Sequence, residues 1–185
     1  MKLLKVILII FLSLTNGIKA DTEDQILENL NKGGNLIFIR HAYAPGNGDP
    51  DNFDIEDCST QRNLSDNGRE QAKNIGDFFK HNNIQIDLVI SSEWCRCKET
   101  ALIGFGKFEK KNFLNSFYST KFMKNKKTQI KDLKEYINNW KSDKNLVLVT
   151  HYVVILDALN YSAGSGEIVI SDKYFKTIGS IQIDY

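Results

Sequence analysis

The chain has 185 residues, 42% of them hydrophobic, enough for one domain of ordinary size around a single substantial core. Lysine and arginine number 24 against 23 aspartate and glutamate. The net charge of +1 excludes a bulk attraction to nucleic acid or an anionic membrane, so any anion binding must be local.

Residues 1–20 read apart from the rest. Met1–Lys5 carries two lysines, Val6–Leu14 is an apolar run broken only by Ser13, and Ala20 is a small residue just before the polar Asp21. This is the layout of a secretory signal peptide cleaved after Ala20. The apolar run is well short of the roughly 20 residues a membrane-spanning helix needs. The expectation is a mature chain from Asp21, periplasmic or secreted, with no membrane span. Export into an oxidising compartment permits a disulfide, and the three cysteines give Cys58 paired with Cys95 or with Cys97, leaving one thiol. Zinc at Cys95-x-Cys97 has a one-residue gap and no fourth ligand nearby.

Within 21–185 the elements follow one another as a single unit. Ile26, Leu27 and Leu30 predict a short amphipathic helix over 21–31, ended by Gly33-Gly34. Asn35–Ile39 predicts a strand covered on both faces, and it runs straight into Arg40-His41. A polar loop, 42–63, holds both prolines. Ser65 is an N-cap candidate for a helix running to about His81, with Ala72, Ile75, Phe78 and Phe79 as its apolar stripe. Ile86–Ile90 is a second buried strand ending at Ser91-Ser92, and a helix starts at Cys95 and reaches Leu102. Leu133, Ile137 and Trp140 predict a helix ending near Lys141. Leu146–Val149 is a third buried strand, closing on Thr150-His151. The tail, 167–170 and 174–183, reads as two further strands, in the pattern of a hairpin.

Strands alternating with helices predict an α/β domain with a largely parallel sheet. Ligands in such folds bind beyond the carboxyl ends of the strands. Those ends deliver Arg40-His41, Ser91-Ser92 with Arg96 just after, and Thr150-His151 to one edge. Two histidines and two arginines there make a small cationic pocket suited to phosphate, in which one imidazole attacks phosphorus while the other groups neutralise charge. His81, at a helix end, is read as a surface residue.

These residues resemble a known family. Phe38-Ile39-Arg40-His41-Ala42, Arg62-Asn63-Leu64-Ser65 with Gly68-Arg69-Glu70-Gln71-Ala72, Ser91-Ser92 with Arg96 and Glu99-Thr100-Ala101, and Val149-Thr150-His151 are similar, in order, to the motifs of the histidine phosphatase superfamily. The resemblance implies its phosphoglycerate-mutase-like fold, a three-layer α/β/α arrangement with a mostly parallel central sheet. It implies that His41 takes up the phosphoryl group, that Arg40 and Arg96 bind phosphate, and that His151 hydrogen bonds to it. Arg62 resembles the extra arginine of shorter members such as the phosphohistidine phosphatases and is carried as a substrate contact. No cofactor and no metal is implied, and the partner is a small phosphorylated substrate. The runs 57–65 and 92–97 look like exported bacterial members, some of them described as lipopolysaccharide core heptose phosphatases, which would make an envelope sugar phosphate the substrate.

Three departures qualify the resemblance. The family's usual Arg-His-Gly is Arg-His-Ala here. Larger members carry a glutamate general acid where this chain aligns Asn115, and Tyr152 after His151 rules out the acid phosphatase arrangement. Asp49, between Gly48 and Pro50, is the best alternative proton donor, with Asp57 and Glu93 behind it. Trp94 reads either as a stacking platform for a sugar or as a core residue shielding the disulfide, and the lysine-rich run 121–134 as a solvated loop and helix start. The leading expectation is an exported, metal-independent phosphatase working through a phosphohistidine on His41. The alternatives are a non-catalytic phosphate or phosphosugar binding protein on the same fold, a phosphohistidine phosphatase and, less favoured, a mutase.

Overall fold

The computed structural model describes residues 23–185. The expected leader, residues 1–20, lies outside them. In chain order the elements are α1 (Glu23–Lys32), β1 (Leu36–Arg40), α2 (Asp66–His81), β2 (Ile86–Ser91), α3 (Cys95–Phe105), β3 (Glu109–Lys110), α4 (Thr120–Met123), α5 (Lys126–Asn139), β4 (Asn145–Thr150), α6 (Tyr152–Leu159), β5 (Ile168–Ser171) and β6 (Thr177–Ile181). Short 3-10 turns sit at Cys58–Thr60 and Asn112–Leu114.

The strands form one sheet in the order β3-β2-β4-β1-β5-β6. β3, β2, β4 and β1 run parallel, and β5 and β6 continue antiparallel as the tail hairpin. Side chains alternate across each central strand, so β1 sends Leu36 and Phe38 to one face and Ile37 and Ile39 to the other. The first face packs against Leu133 and Ile137 of α5 and Val154, Ile155 and Leu159 of α6. The second packs against Ile26 and Leu30 of α1, Ile75 and Phe79 of α2, and Ala101 of α3. The result is the expected three-layer α/β/α arrangement. Burial on both faces is why the strands read as unbroken apolar runs.

The expected elements are present with shifted ends, and α2 begins at the Ser65 cap, whose hydroxyl accepts from the Gly68 amide at 3.2 Å. Five elements were not expected: the Cys58–Thr60 turn, β3, the Asn112–Leu114 turn, α4 and α6. The last follows β4 directly. His151 is its extended N-cap, Val154 and Ile155 pack inward, and Asn160 closes it in the left-handed region at φ 52°. Its start, the aromatic Tyr152 and the β-branched Val153-Val154-Ile155, reads locally as strand, so tertiary packing overrides propensity there.

The parallel register puts the polar strand ends side by side. Arg40 is opposite Thr150 and Ser91 opposite Val149. The ladder extends one residue further, with His41 N–H on the Thr150 carbonyl and Ser92 N–H on the Val149 carbonyl, both at 2.9 Å. Among the described residues no helix is long and apolar enough to cross a membrane.

Candidate active site

Beyond these strand ends lies a cavity of about 510 Å³. Arg40, His41, Asp49, Arg62, Arg96 and His151, the leading site residues read from the sequence, line it. Three of them come directly off strand ends, Arg96 from the first turn of α3, and Asp49 and Arg62 from the long loop between β1 and α2.

His41 is 3% exposed, and its Nδ1 lies 2.8 Å from the Ala42 carbonyl. A carbonyl only accepts, so Nδ1 carries the proton and Nε2 keeps its lone pair. That lone pair accepts from Arg96 Nε at 3.2 Å. Burial, then the charge of Arg96, keeps the His41 imidazole well below its ordinary pKa, and the Ala42 hydrogen bond only partly offsets this. His151 is also buried, its ring 5.5 Å from that of His41, and burial followed by Arg96 and His41 lowers its pKa in the same way. Both imidazoles are therefore neutral at neutral pH.

His151 Nε2 lies 2.9 Å from Ser92 Oγ, which in turn donates to Asn115 Oδ1 at 3.0 Å. With the hydroxyl hydrogen committed to Asn115, His151 Nε2–H is the donor to Ser92. Asn115 is held by the Glu93 amide at 2.9 Å and itself donates to the Glu93 carboxylate at 2.7 Å. The residue at the aligned acid position is thus a strut for the Ser92–His151 pair. This chain of contacts escaped sequence reasoning. The Ser91-Ser92 break marked its place, but nothing in the sequence tied Asn115 to Ser92.

Arg96, 3% exposed, has no unused nitrogen. Besides its Nε contact to His41, Nη1 and Nη2 meet Asp49 Oδ1 and Oδ2 at 2.7 and 3.2 Å, and Nη1 also reaches the Arg62 carbonyl at 3.2 Å. Asp49 accepts in addition from Trp94 Nε1 and the Arg62 amide, each at 3.1 Å. Burial alone would raise the Asp49 carboxyl, but hydrogen bonding and charge from Arg96 outweigh it and hold the group below its ordinary range. As found, Asp49 accepts on every side and serves as Arg96's counterion. Donating a proton requires that it first leave Arg96. Of the other carboxylates considered, Asp57 caps the Cys58–Thr60 turn and Glu93 is engaged with Asn115, and neither lines the cavity.

Arg40 donates Nη1 to the Ala163 carbonyl at 2.8 Å, lies over the Tyr152 ring, and keeps a buried Nε with no partner. Arg62 donates to the Gly48 and Ala44 carbonyls. Trp94, 2% exposed, stacks on Phe53 at 4.9 Å and meets His151 edge-on, so it is a wall of the site and presents no open face to a sugar. Lys121 of the lysine-rich run reaches the cavity mouth beside Phe122. The Ala42 methyl fits a small apolar cluster with Ala44, Leu64 and Ala72, which accounts for alanine in place of glycine after His41. The disulfide joins Cys58 to Cys95, and Cys97 is the buried remaining thiol, pushed up to about 12 by burial. Among the described residues no group of three or more His, Cys, Asp or Glu side chains gathers as a metal site.

Residues 36–111 match the family model described as the histidine phosphatase superfamily, branch 1. Over those residues the chain is similar to the histidine phosphatase superfamily. Solved structures agree at the level of fold. A putative phosphohistidine phosphatase SixA from Agrobacterium tumefaciens is 17% identical, with a TM-score of 0.55 over 80% of this chain and 97% of that one. The protein histidine phosphatase SixA complexed with tungstate is 14% identical, with a TM-score of 0.53 over 81% and 96%. A putative alpha-ribazole-5'-P phosphatase from Escherichia coli K-12 is 13% identical, with a TM-score of 0.56 over 83% and 97%. No curated protein sequence matches the chain significantly. That similarity fits a site built from two neutral histidines and three arginines.

Proposed function

We propose that this chain is a member of the histidine phosphatase superfamily and an exported phosphatase that hydrolyses a phosphomonoester through a phosphohistidine on His41. The observation that carries the reading is the state of His41: buried, neutral, with Nδ1–H fixed on a carbonyl and the Nε2 lone pair directed among arginines. Such an imidazole is a ready nucleophile. Nε2 attacks phosphorus while Arg40, Arg62 and Arg96 neutralise the equatorial oxygens, and His151, its Nε2–H held by Ser92, flanks the same group. The Nδ1–H to carbonyl bond strengthens as charge develops on the ring, so it favours the transition state over the ground state. Water then releases phosphate and restores His41. The small phosphorylated substrate needs no nucleic acid or membrane surface to be recognised. Export is supported by the leader layout of residues 1–20 and by the Cys58–Cys95 disulfide, a bond that oxidising compartments preserve.

Asn115 at the aligned acid position favours a second reading, a protein that binds phosphate or a phosphosugar without turnover. Phosphate release by residues 21–185 from a panel of alkyl, sugar and aryl phosphates and phosphohistidine, against His41→Ala, separates the two. Release abolished by His41→Ala is the expected result. No release from any of them, with phosphate still bound, would leave the binding protein.

A further inference from the structure

Asp49 holds the part of Arg96 that a phosphoryl group needs. The guanidinium has two outer nitrogens, and both are taken by the two oxygens of this carboxylate at 2.7 and 3.2 Å, while the inner Nε is on the nucleophilic nitrogen of His41. A carboxylate and a face of a phosphate offer an arginine the same thing, two oxygens in the plane of the fork. Asp49 therefore stands where phosphate oxygens would stand, one guanidinium width from His41 Nε2, and the two anions cannot share that edge.

We propose that Asp49 and the substrate phosphoryl group exchange on Arg96: the incoming dianion displaces the carboxylate, and the displaced group takes up a proton and becomes the donor to the leaving oxygen. The first half concerns anion binding alone, and the second rests on the phosphatase reading. The displaced carboxyl stays within the site because Trp94 Nε1 and the Arg62 amide remain as donors. Its loop carries positive φ of 88° and 71° at Gly46 and Gly48, and a side chain at Gly48 would meet open space, while Arg62 Nε holds the Gly48 carbonyl at 2.8 Å. The other charged or titratable groups around it are Arg40, Arg62, Lys121 and Asp51, the imidazoles of His41 and His151, the phenols of Tyr118 and Tyr152, and the Cys97 thiol. With Arg96 turned to a dianion, the carboxyl loses its principal countercharge and gains a negative neighbour, both of which favour its protonated form.

The proton balance closes. One proton comes from solvent on displacement. It passes to the leaving oxygen as the P–O bond breaks and the Nε2–P bond forms. The resulting carboxylate takes a proton from the water that attacks phosphohistidine, and loses it to solvent when phosphate leaves and Arg96 is regained. An acid function absent at Asn115 is in this way supplied from the loop between β1 and α2.

Tungstate, a phosphate-like dianion, is the probe, titrated calorimetrically into wild type, Asp49→Asn and Asp49→Glu. Removing the competing charge should tighten tungstate binding in Asp49→Asn by roughly tenfold. Asp49→Glu, which keeps the charge, should not gain. Equal or weaker binding by a folded Asp49→Asn overturns the exchange. In the wild-type chain, whatever the fate of the variant, carboxyl-¹³C aspartate NMR should show one carboxyl whose titration midpoint rises when tungstate is added; if none moves, the proposal is wrong. For hydrolysis, Asp49→Asn should slow an alkyl phosphate by about a hundredfold and an aryl phosphate with a good leaving group far less. Equal slowing of both removes the donor role. A wild type that releases no phosphate yet shows the tungstate effects ends the phosphatase reading and leaves the exchange standing. Release without those effects does the reverse.

Discussion

The Cys58–Cys95 disulfide is the covalent link between the loop that carries Asp49 and Arg62 and the helix that carries Arg96. It closes a segment of sequence separation 37. On the chain-entropy view, closing a loop of that length in the unfolded state stabilises the fold by about 4 kcal/mol. In a domain of this size, that corresponds to a fall in melting temperature of roughly 8–16 °C on removing the bond. Hydrogen bonds also join the same two segments, with the Cys95 amide on Gln61 Oε1 at 2.9 Å and Asn63 Nδ2 on the Cys58 carbonyl. The fold should therefore survive reduction while the loop loosens. The assay is thermal unfolding of oxidised wild type and of Cys58→Ser/Cys95→Ser, which leaves only the buried Cys97 thiol and no alternative pairing, followed by tungstate titration of each at 25 °C. The expected result is a melting temperature lowered within that range and tungstate binding weakened several-fold. A shift below about 2 °C would refute the loop-closure reasoning. A full shift with unchanged tungstate affinity would show that the bond staples the chain without positioning the site.

Two further predictions follow from the buried histidines and their struts. His41 and His151 have folded pKa values below their unfolded ones, so the unfolded chain binds protons that the folded chain refuses. Stability is complete above the ordinary imidazole value and falls as pH drops below about 6.5, with a slope approaching ~2.7 kcal/mol per pH unit if both residues contribute. Urea unfolding at pH 7.5 and pH 5 checks this, and His41→Asn/His151→Asn should flatten the slope; Asp49, lowered from an already acidic value, titrates below this window. Second, Ser92→Ala or Asn115→Ala should lower kcat by about tenfold with little change in KM, because His151 loses its orienting partner while the arginines keep theirs. A change confined to KM would place the pair in substrate binding instead.

The parts of the fold legible in the sequence are those where one physical signal dominates. Strands buried on both faces leave unbroken apolar runs, and their abrupt polar ends at Arg40-His41, Ser91-Ser92 and Thr150-His151 mark the sheet edge where the site forms. The start of α2 was legible because Ser65 meets the geometric demand of an N-cap. The α6 helix was not, because β-branched residues after β4 carry a strand signal that only packing against Leu36, Phe38 and Leu148 reverses. The choice between Cys95 and Cys97 depended on which side of one helical turn faces the loop, and composition is silent on that. The Asp49–Arg96 pair was beyond reach for a related reason: they are separated by 47 positions, and only the folded loop reveals that the carboxylate rests on an arginine.

The first turn of α3 couples these features more tightly than their separation in sequence implies. The Ala42 amide donates to Thr100 Oγ1 at 3.0 Å, and that hydroxyl donates to the Arg96 carbonyl at 2.7 Å. The same Ala42 presents its carbonyl to His41 Nδ1 and so fixes the tautomer of the nucleophile. The Cys97 thiol meanwhile points at the Thr150 carbonyl, which already holds the His41 amide. One helical turn therefore sets the backbone beside His41, the position of Arg96 and, through Cys95, the tether of the loop bearing Asp49. A displacement of that turn moves the nucleophile, the phosphate-binding arginine and its counterion together. Preorganisation of a phosphate site needs those three placed relative to one another, whatever their place relative to the rest of the protein.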